Sequence, residues 1–280
     1  LYVDDKAINY YLKSLSINRS IEDEAGIAMN YLAFGDLFYS QENYTSANKY
    51  FKDASDLYLK KGDKNGVSIC YTNIGNATAE AGNNIEGLEY YKKSIKIQEE
   101  LNDEYGLGVN YNNIGDSYIE LKEYDKALNY FSKALKIAKE LDEKDLISII
   151  LMNISEIKIK LKEYNKGIEY AKGSLKIAEE IGELEYQAIN LIALSTVYES
   201  LGDISKAFNY NKKYIKIKDS LLVIDKTNKV QLFKALNELD KSQYTISDLS
   251  NKNEVTQSKY ETNRKFTYFY SDNSSYICFF

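Results

Sequence analysis

Proline, histidine and tryptophan are absent from the 280 residues, and there are only two cysteines, two methionines and 14 glycines. Without histidine the chain can form neither a Ser-His-Asp triad nor a histidine metal cage. Cys70 and Cys278 stand too far apart for a ligand motif and are too few for a disulfide framework, so Cys70 reads as a small core residue. Most hydrolytic and metal chemistry is thereby excluded, and no cofactor is expected. Scarce breakers leave long helices as the simplest reading. No G-K-S/T phosphate loop occurs, and Gly106 and Gly108 form only a G-x-G at a helix start with no strand before it.

What is present is 44% hydrophobic and 28% charged residues, the composition of a soluble folded chain. The formal charge is -6, unevenly spread: residues 1–203 hold 23 basic against 34 acidic side chains, and residues 204–280 hold 13 against 8. An acidic body carries a basic tail. Lysine supplies nearly all the positive charge, and asparagine, isoleucine and tyrosine are abundant, a bias that an AT-rich coding sequence produces by itself.

The chain repeats every 40 residues. Gly35, Gly75 and Gly115 fall in register with Ser155 and Ser195, just after Phe34, Ile74, Ile114, Ile154 and Leu194. Later in each repeat come Ala47, Gly87, Ala127, Gly167 and Ala207, then Tyr50, Tyr90, Tyr130, Tyr170 and Tyr210. In the third repeat Leu107, Tyr111, Ile114, Tyr118 and Leu121 form the stripe of one amphipathic helix, A; Ala127, Leu128, Phe131, Ala134, Leu135 and Ala138 form that of a second, B. Asn43, Asn83 and Asp203 stand where helix B begins and can cap its first turn. At Gly115 and Ala127 a larger side chain would hold the two helices apart.

The string Tyr111 to Leu135, YNNIGDSYIELKEYDKALNYFSKAL, resembles the helix-turn-helix consensus of the tetratricopeptide repeat. The resemblance recurs through five repeats, 25–64, 65–104, 105–144, 145–184 and 185–224, without the usual proline and with a longer helix B. Such lengthening is found in bacterial peptide-responsive regulators and kinesin light chains. It implies an all-α fold, a right-handed superhelical solenoid of helix-turn-helix repeats ending in a long C-terminal helix.

Residues 1–24 align with a helix B whose helix A is missing, since Asp4, Asp5, Lys6, Ala7 and Tyr10 match Tyr124, Asp125, Lys126, Ala127 and Tyr130. The exposed pattern of Ile8, Tyr11 and Leu12 marks the chain as a fragment of a longer protein. Residues 225–241 read as a capping or linker helix, with a coiled-coil seam as the other reading, and 242–280 as a basic polar tail ending in an aromatic-rich segment. Lys259, Arg264 and Lys265 before Phe266, Tyr268 and Phe269 resemble the edge of a membrane segment, which points to a tether just beyond the C-terminus.

In the resembled family helix A lines the concave surface, and this implies a peptide-binding groove. Its centre would be polar and acidic, with Asn73, Asn76, Glu80, Asn112, Asn113, Asp116, Ile119, Glu120, Asn153 and Glu156, and its ends more apolar, with Met29, Leu32, Asp36, Ile189 and Ile192. Asn73, Asn113 and Asn153 share one register position, where peptide-binding members clamp the ligand backbone with a carboxamide. Two alternatives stand: these residues bond to one another or to adjacent helices, or they reflect the Asn-rich composition. The expected function is a non-catalytic protein or peptide scaffold, the sensory or interaction part of a bacterial signalling regulator. The alternative is the regulatory array of a sensor kinase or peptide-controlled phosphatase whose catalytic part lies outside this chain. The acidic wall favours a basic partner segment and repels nucleic acid.

Overall fold

A computed structural model describes residues 5–223, with side-chain surroundings from residue 10 onward. Lys13–Thr227 form one compact unit; a second unit, Leu1–Leu12 with Asn228–Phe280, has only residues 5–12 among those described. The expectations for the exposure of the Ile8 side chain, for 225–241 and for 242–280 therefore lie outside what is described.

The described residues contain helices and short turns, and no strand. Helix α1 (Asp5–Ser20) precedes five helical hairpins: α2 (Glu24–Tyr39) with α3 (Tyr44–Lys61), α4 (Lys64–Glu80) with α5 (Asn84–Leu101), α6 (Glu104–Glu120) with α7 (Tyr124–Glu140), α8 (Lys144–Lys160) with α9 (Tyr164–Ile181), and α10 (Leu184–Ser200) with α11 (204–223). From α2 to α10 each helix packs on the next. Successive A helices also touch (α4 with α6, α6 with α8, α8 with α10), whereas successive B helices do not approach to a comparable extent. A stack whose A helices are closer together than its B helices curves with the A face inside.

All ten connections stop their helix in the same way. A residue with positive φ occurs every 20 residues: glycine at 62, 82, 182 and 202, and Glu22, Glu42, Asn102, Lys122, Asp142 and Lys162 at the others. Glycine adopts this conformation freely, and each non-glycine residue there gives up some stability to end the helix. At the far ends, Asp23, Asp63 and Asp103 cap A helices and Asn43 and Asp203 cap B helices by accepting from backbone N–H groups at 3.0–3.1 Å. Asn83, expected to do the same, makes no side-chain cap bond.

The small residue in helix A does have a packing reason, and it is an aromatic ring. A Cβ at Gly35 would lie 2.3 Å from Phe51, one at Gly75 2.5 Å from Tyr91, and one at Gly115 2.6 Å from Phe131. In the last two repeats the exchange is reversed. There the positions 16 residues after Ser155 and Ser195 hold Ala171 and Asn211 instead of a buried ring, and the serine hydroxyls donate to Gly167 O (2.8 Å) and Ala207 O (2.9 Å). The same exchange occurs between repeats: Gly26, Gly66 and Gly106 accommodate Asn18, Tyr58 and Gln98, whereas Leu146 and Tyr186 stand opposite Ala138 and Ala178. At the glycine contacts the missing side chain leaves room for the larger one opposite, as close packing requires.

One junction alternates between two chemistries. Asn30 Nδ2 donates to Ser14 Oγ (3.2 Å), Asn110 to Ser94 (3.1 Å) and Asn190 to Ser174 (2.7 Å). At the intervening junctions the same positions hold Ala54 with Cys70 and Ala134 with Ile150, inside apolar clusters. Asn110 is fully buried and its amide also reaches Thr72 (3.0 Å) and Gln98 (2.8 Å). Such a carboxamide is retained in a core only when its partners are in register.

Candidate functional site

The inner face is built from A-helix positions left over after the core is packed. Met29, Ile69, Ile189 and Ile192 are exposed there, and Leu32, Val109 and Ile149 are half-buried. Asp36, Glu80, Asp116, Glu120 and Glu156 are exposed. Two expectations are corrected. Ile119 belongs to the core beside Phe131 and Ile157, and Asn112 and Asn153 are buried, each 6% exposed, because the stacking of α6 on α8 covers them.

The three asparagines at the shared register form a ladder between repeats. Asn73 Nδ2 donates to Asp36 Oδ1 (3.3 Å), Asn113 Nδ2 to Asn76 Oδ1 (2.9 Å) and Asn153 Nδ2 to Asn112 Oδ1 (3.3 Å). Each thus ties its A helix to the preceding one, the arrangement in which such residues bond to adjacent helices. A carboxamide has two donor hydrogens and two acceptor lone pairs, so one bond leaves capacity for another partner.

Near the middle of the face is a hollow of about 370 Å³. Tyr39 closes one side, Glu80, Asp116 and Glu120 supply carboxylates, Asn76 and Asn113 supply amides, and Tyr91 rises from helix B. The Tyr91 hydroxyl donates to Asn76 Oδ1 (3.0 Å). Ser117 Oγ, buried in the wall beside that hydroxyl, has no hydrogen bond of good geometry among the described residues. Asn84, Ala79, Gly82, Tyr91 and Ser117 were not foreseen as lining residues; Tyr91 enters because Gly75 leaves room for its ring.

Electrostatically the hollow is strained. Asp116 is raised to about 7, first by desolvation and then by Glu156, Glu80 and Glu120; Asp36 is raised to about 6 by desolvation. Both are open to solvent by area yet crowded by protein, the combination expected on the floor of a concave surface. Tyr39 and Tyr91 are also raised, by burial first and then by neighbours that include Glu80 and Asp116. Moreover, these carboxylates lie at the C-terminal ends of A helices, where the helix dipole is already negative and acidic side chains are disfavoured. No basic residue occupies the last turn of α2, α4, α6 or α10. Only α8 offsets its acid, with Lys160 2.7 Å from Glu156.

The model of the tetratricopeptide repeat matches residues 67–140 and 146–220, more than half of the chain. This chain is a member of the tetratricopeptide repeat family. No curated protein sequence matches it. Among solved structures, BtubC from P. vanneervenii superposes with a TM-score of 0.64 at 17% identity, over 76% of this chain and 90% of that one. A Rap protein complexed with competence and sporulation factor gives 0.60 at 17% identity, over 78% and 71%. A signal transduction ATPase with numerous domains and a tetratricopeptide repeat sensor, from Pyrococcus horikoshii, gives 0.59 at 23% identity, over 81% and 38%. These likenesses establish the tetratricopeptide repeat solenoid as the fold. Among the described residues there is no cluster that could hold a metal ion, and no helix long and apolar enough to cross a membrane.

Proposed function

We propose that this tetratricopeptide repeat array is a non-catalytic module that binds a basic segment of a protein partner along its A-helix face, as the sensing or interaction part of a signalling protein. The observation that carries the reading is the hollow around Asp116. Carboxylates are gathered where desolvation, mutual repulsion and the helix dipole all oppose them, and a stability-driven sequence would not keep them there. A lysine or arginine side chain relieves all three at once. The fold accepts this use: the Rap structure holds a bound factor, and the Pyrococcus protein carries its repeats as a sensor. A negative inner face also disfavours nucleic acid.

The test uses two fluorescein-labelled peptides of equal length, one lysine-rich and one glutamate-rich, titrated with the protein and read by anisotropy. The lysine-rich peptide should bind, and Asp116→Lys with Glu156→Lys should weaken it at least about tenfold and flatten its salt dependence. Tighter binding of the glutamate-rich peptide, or indifference to the double reversal, refutes the reading.

A further inference from the structure

A second hollow, of about 530 Å³, lies in the fifth repeat between α11, Tyr198 of α10 and Lys172 of α9. Two of its lining residues are stacked rings: Tyr198, which is buried, and Tyr210, with centroids 5.6 Å apart and planes 3° from parallel. Lys172 Nζ and Lys206 Nζ stand 5.7 Å and 5.1 Å from the centre of the Tyr198 ring, so one ring holds ammonium groups from two helices. Lys212, Lys213 and Lys216 line the same hollow, and no carboxylate does. In the third repeat this register is neutralised. The positions of Lys172, Lys206 and Lys216 are there taken by Lys92, Lys126 and Lys136, which pair with Glu89, Glu123 and Glu140. In the fifth, Lys206 pairs with Asp203 (2.7 Å), but Lys172, Lys212, Lys213 and Lys216 make no ion pair among the described residues, and Ser220 stands in the position of Glu140. Like charges gathered in this way repel one another until an anion joins them.

We propose that this hollow binds a small soluble molecule bearing two or more clustered phosphate groups. It shares no residue with the acidic hollow and does not depend on the groove reading. An ammonium group only donates, and the tyrosine hydroxyls and the Asn209 amide can donate as well, so the lining suits a ligand made of acceptors. Phosphate oxygens accept from every side and concentrate their charge, whereas an acidic peptide brings backbone N–H groups that meet no carboxylate here. Lysine is a point charge with three freely turning donors, which meets clustered phosphates without the planar geometry of a carboxylate site. The volume is that of a small-molecule site, and a single phosphate would leave most of it unfilled. A lipid surface fits less well. The exposed Phe208 and Ile215 of α11 fall at the positions of Leu88 and Ile95, which pack on the following A helix through Ile114. On α11 that side is turned by about 140–160° from Lys206 and Lys213, so these lysines do not flank an apolar stripe as they would at a membrane.

The experiment titrates the full chain with sodium tripolyphosphate at physiological ionic strength, read by isothermal titration calorimetry. Tripolyphosphate should bind saturably, and orthophosphate at least about tenfold more weakly. Lys172→Gln with Lys213→Gln, both exposed, should weaken tripolyphosphate at least about tenfold; Lys96→Gln with Lys136→Gln, which remove equal charge at the register of Lys216 in the second and third repeats, should change it less than about twofold. No saturable binding, an equal loss in the two variants, or orthophosphate as tight as tripolyphosphate overturns the proposal. Phosphatidylglycerol vesicles or the glutamate-rich peptide binding more tightly than tripolyphosphate, and released by the Lys172 and Lys213 substitutions, overturns it too, by assigning these lysines to a membrane or to an acidic segment.

Discussion

Replacing Asp116 by asparagine should stabilise the protein, increasingly so as the pH rises. Asp116 is raised from an ordinary 3.8 to about 7 in the folded chain. Such a group contributes stability that is fully present below about pH 4 and is lost as pH rises through about 7, because the folded state holds the proton more tightly than the unfolded one. Three pH units at about 1.36 kcal/mol each would amount to roughly 4 kcal/mol for a carboxyl sealed from water. Asp116 has an open side, and solvent screening reduces this to about 1–2 kcal/mol. The substitution removes the charge and keeps the shape, so the variant should match the parent near pH 4 and exceed it by about 1–2 kcal/mol at pH 8. Urea unfolding followed by far-ultraviolet circular dichroism at pH 4, 6 and 8 measures the difference. A difference that does not change with pH, or a less stable variant at pH 8, would show that Asp116 is not the strained group described.

Three further outcomes follow from the packing. Gly115→Leu should destabilise by about 1–3 kcal/mol, since its Cβ alone would lie 2.6 Å from the buried Phe131 ring; in a Phe131→Ala background, Gly115→Ser should instead raise the melting temperature, by copying the Ser155 bond to the backbone of helix B. Asn113→Ala with Asn153→Ala should lower both thermal stability and affinity for the lysine-rich peptide, with the salt slope unchanged, because Asn76 and Asn112 lose a donor as well. Cys70, whose thiol burial holds at about 12, should resist a thiol reagent at pH 8 in a Cys278→Ser background until urea unfolds the chain; prompt labelling of the native protein would contradict its place in the core.

The solenoid was legible because period and spacing are properties of one line of sequence: Gly35, Gly75 and Gly115 in register with Ser155 and Ser195 already fix where helices A and B cross. The reason for the small residue was harder to see, since it lies 16 positions away at Phe51, Tyr91 and Phe131 and is reversed at Ala171. Reading the repeats against each other as pairs of positions, rather than one position at a time, would have shown that exchange. The turns were hidden for another reason: the left-handed residue is a lysine or an acid at five of the ten turns and a glycine at four, so composition does not mark it. At the site, the acidic residues were legible and the fate of the amides was not. Whether Asn153 faces solvent or its neighbour depends on how closely α6 and α8 approach, and no spacing along the chain states that distance.

The alternation at the repeat junctions means that the molecule counts in twos. Cutting out residues 25–104 would bring Asn110 against Ser14 and Gly106 against Asn18, restoring the partners that Asn30 and Gly26 supply. Cutting out residues 25–64 would leave Cys70 against Ser14, a half-buried hydroxyl without its carboxamide. A step of 80 residues, the spacing of Asn30, Asn110 and Asn190, therefore keeps junction partners matched, whereas a duplication or loss of one repeat would mismatch them.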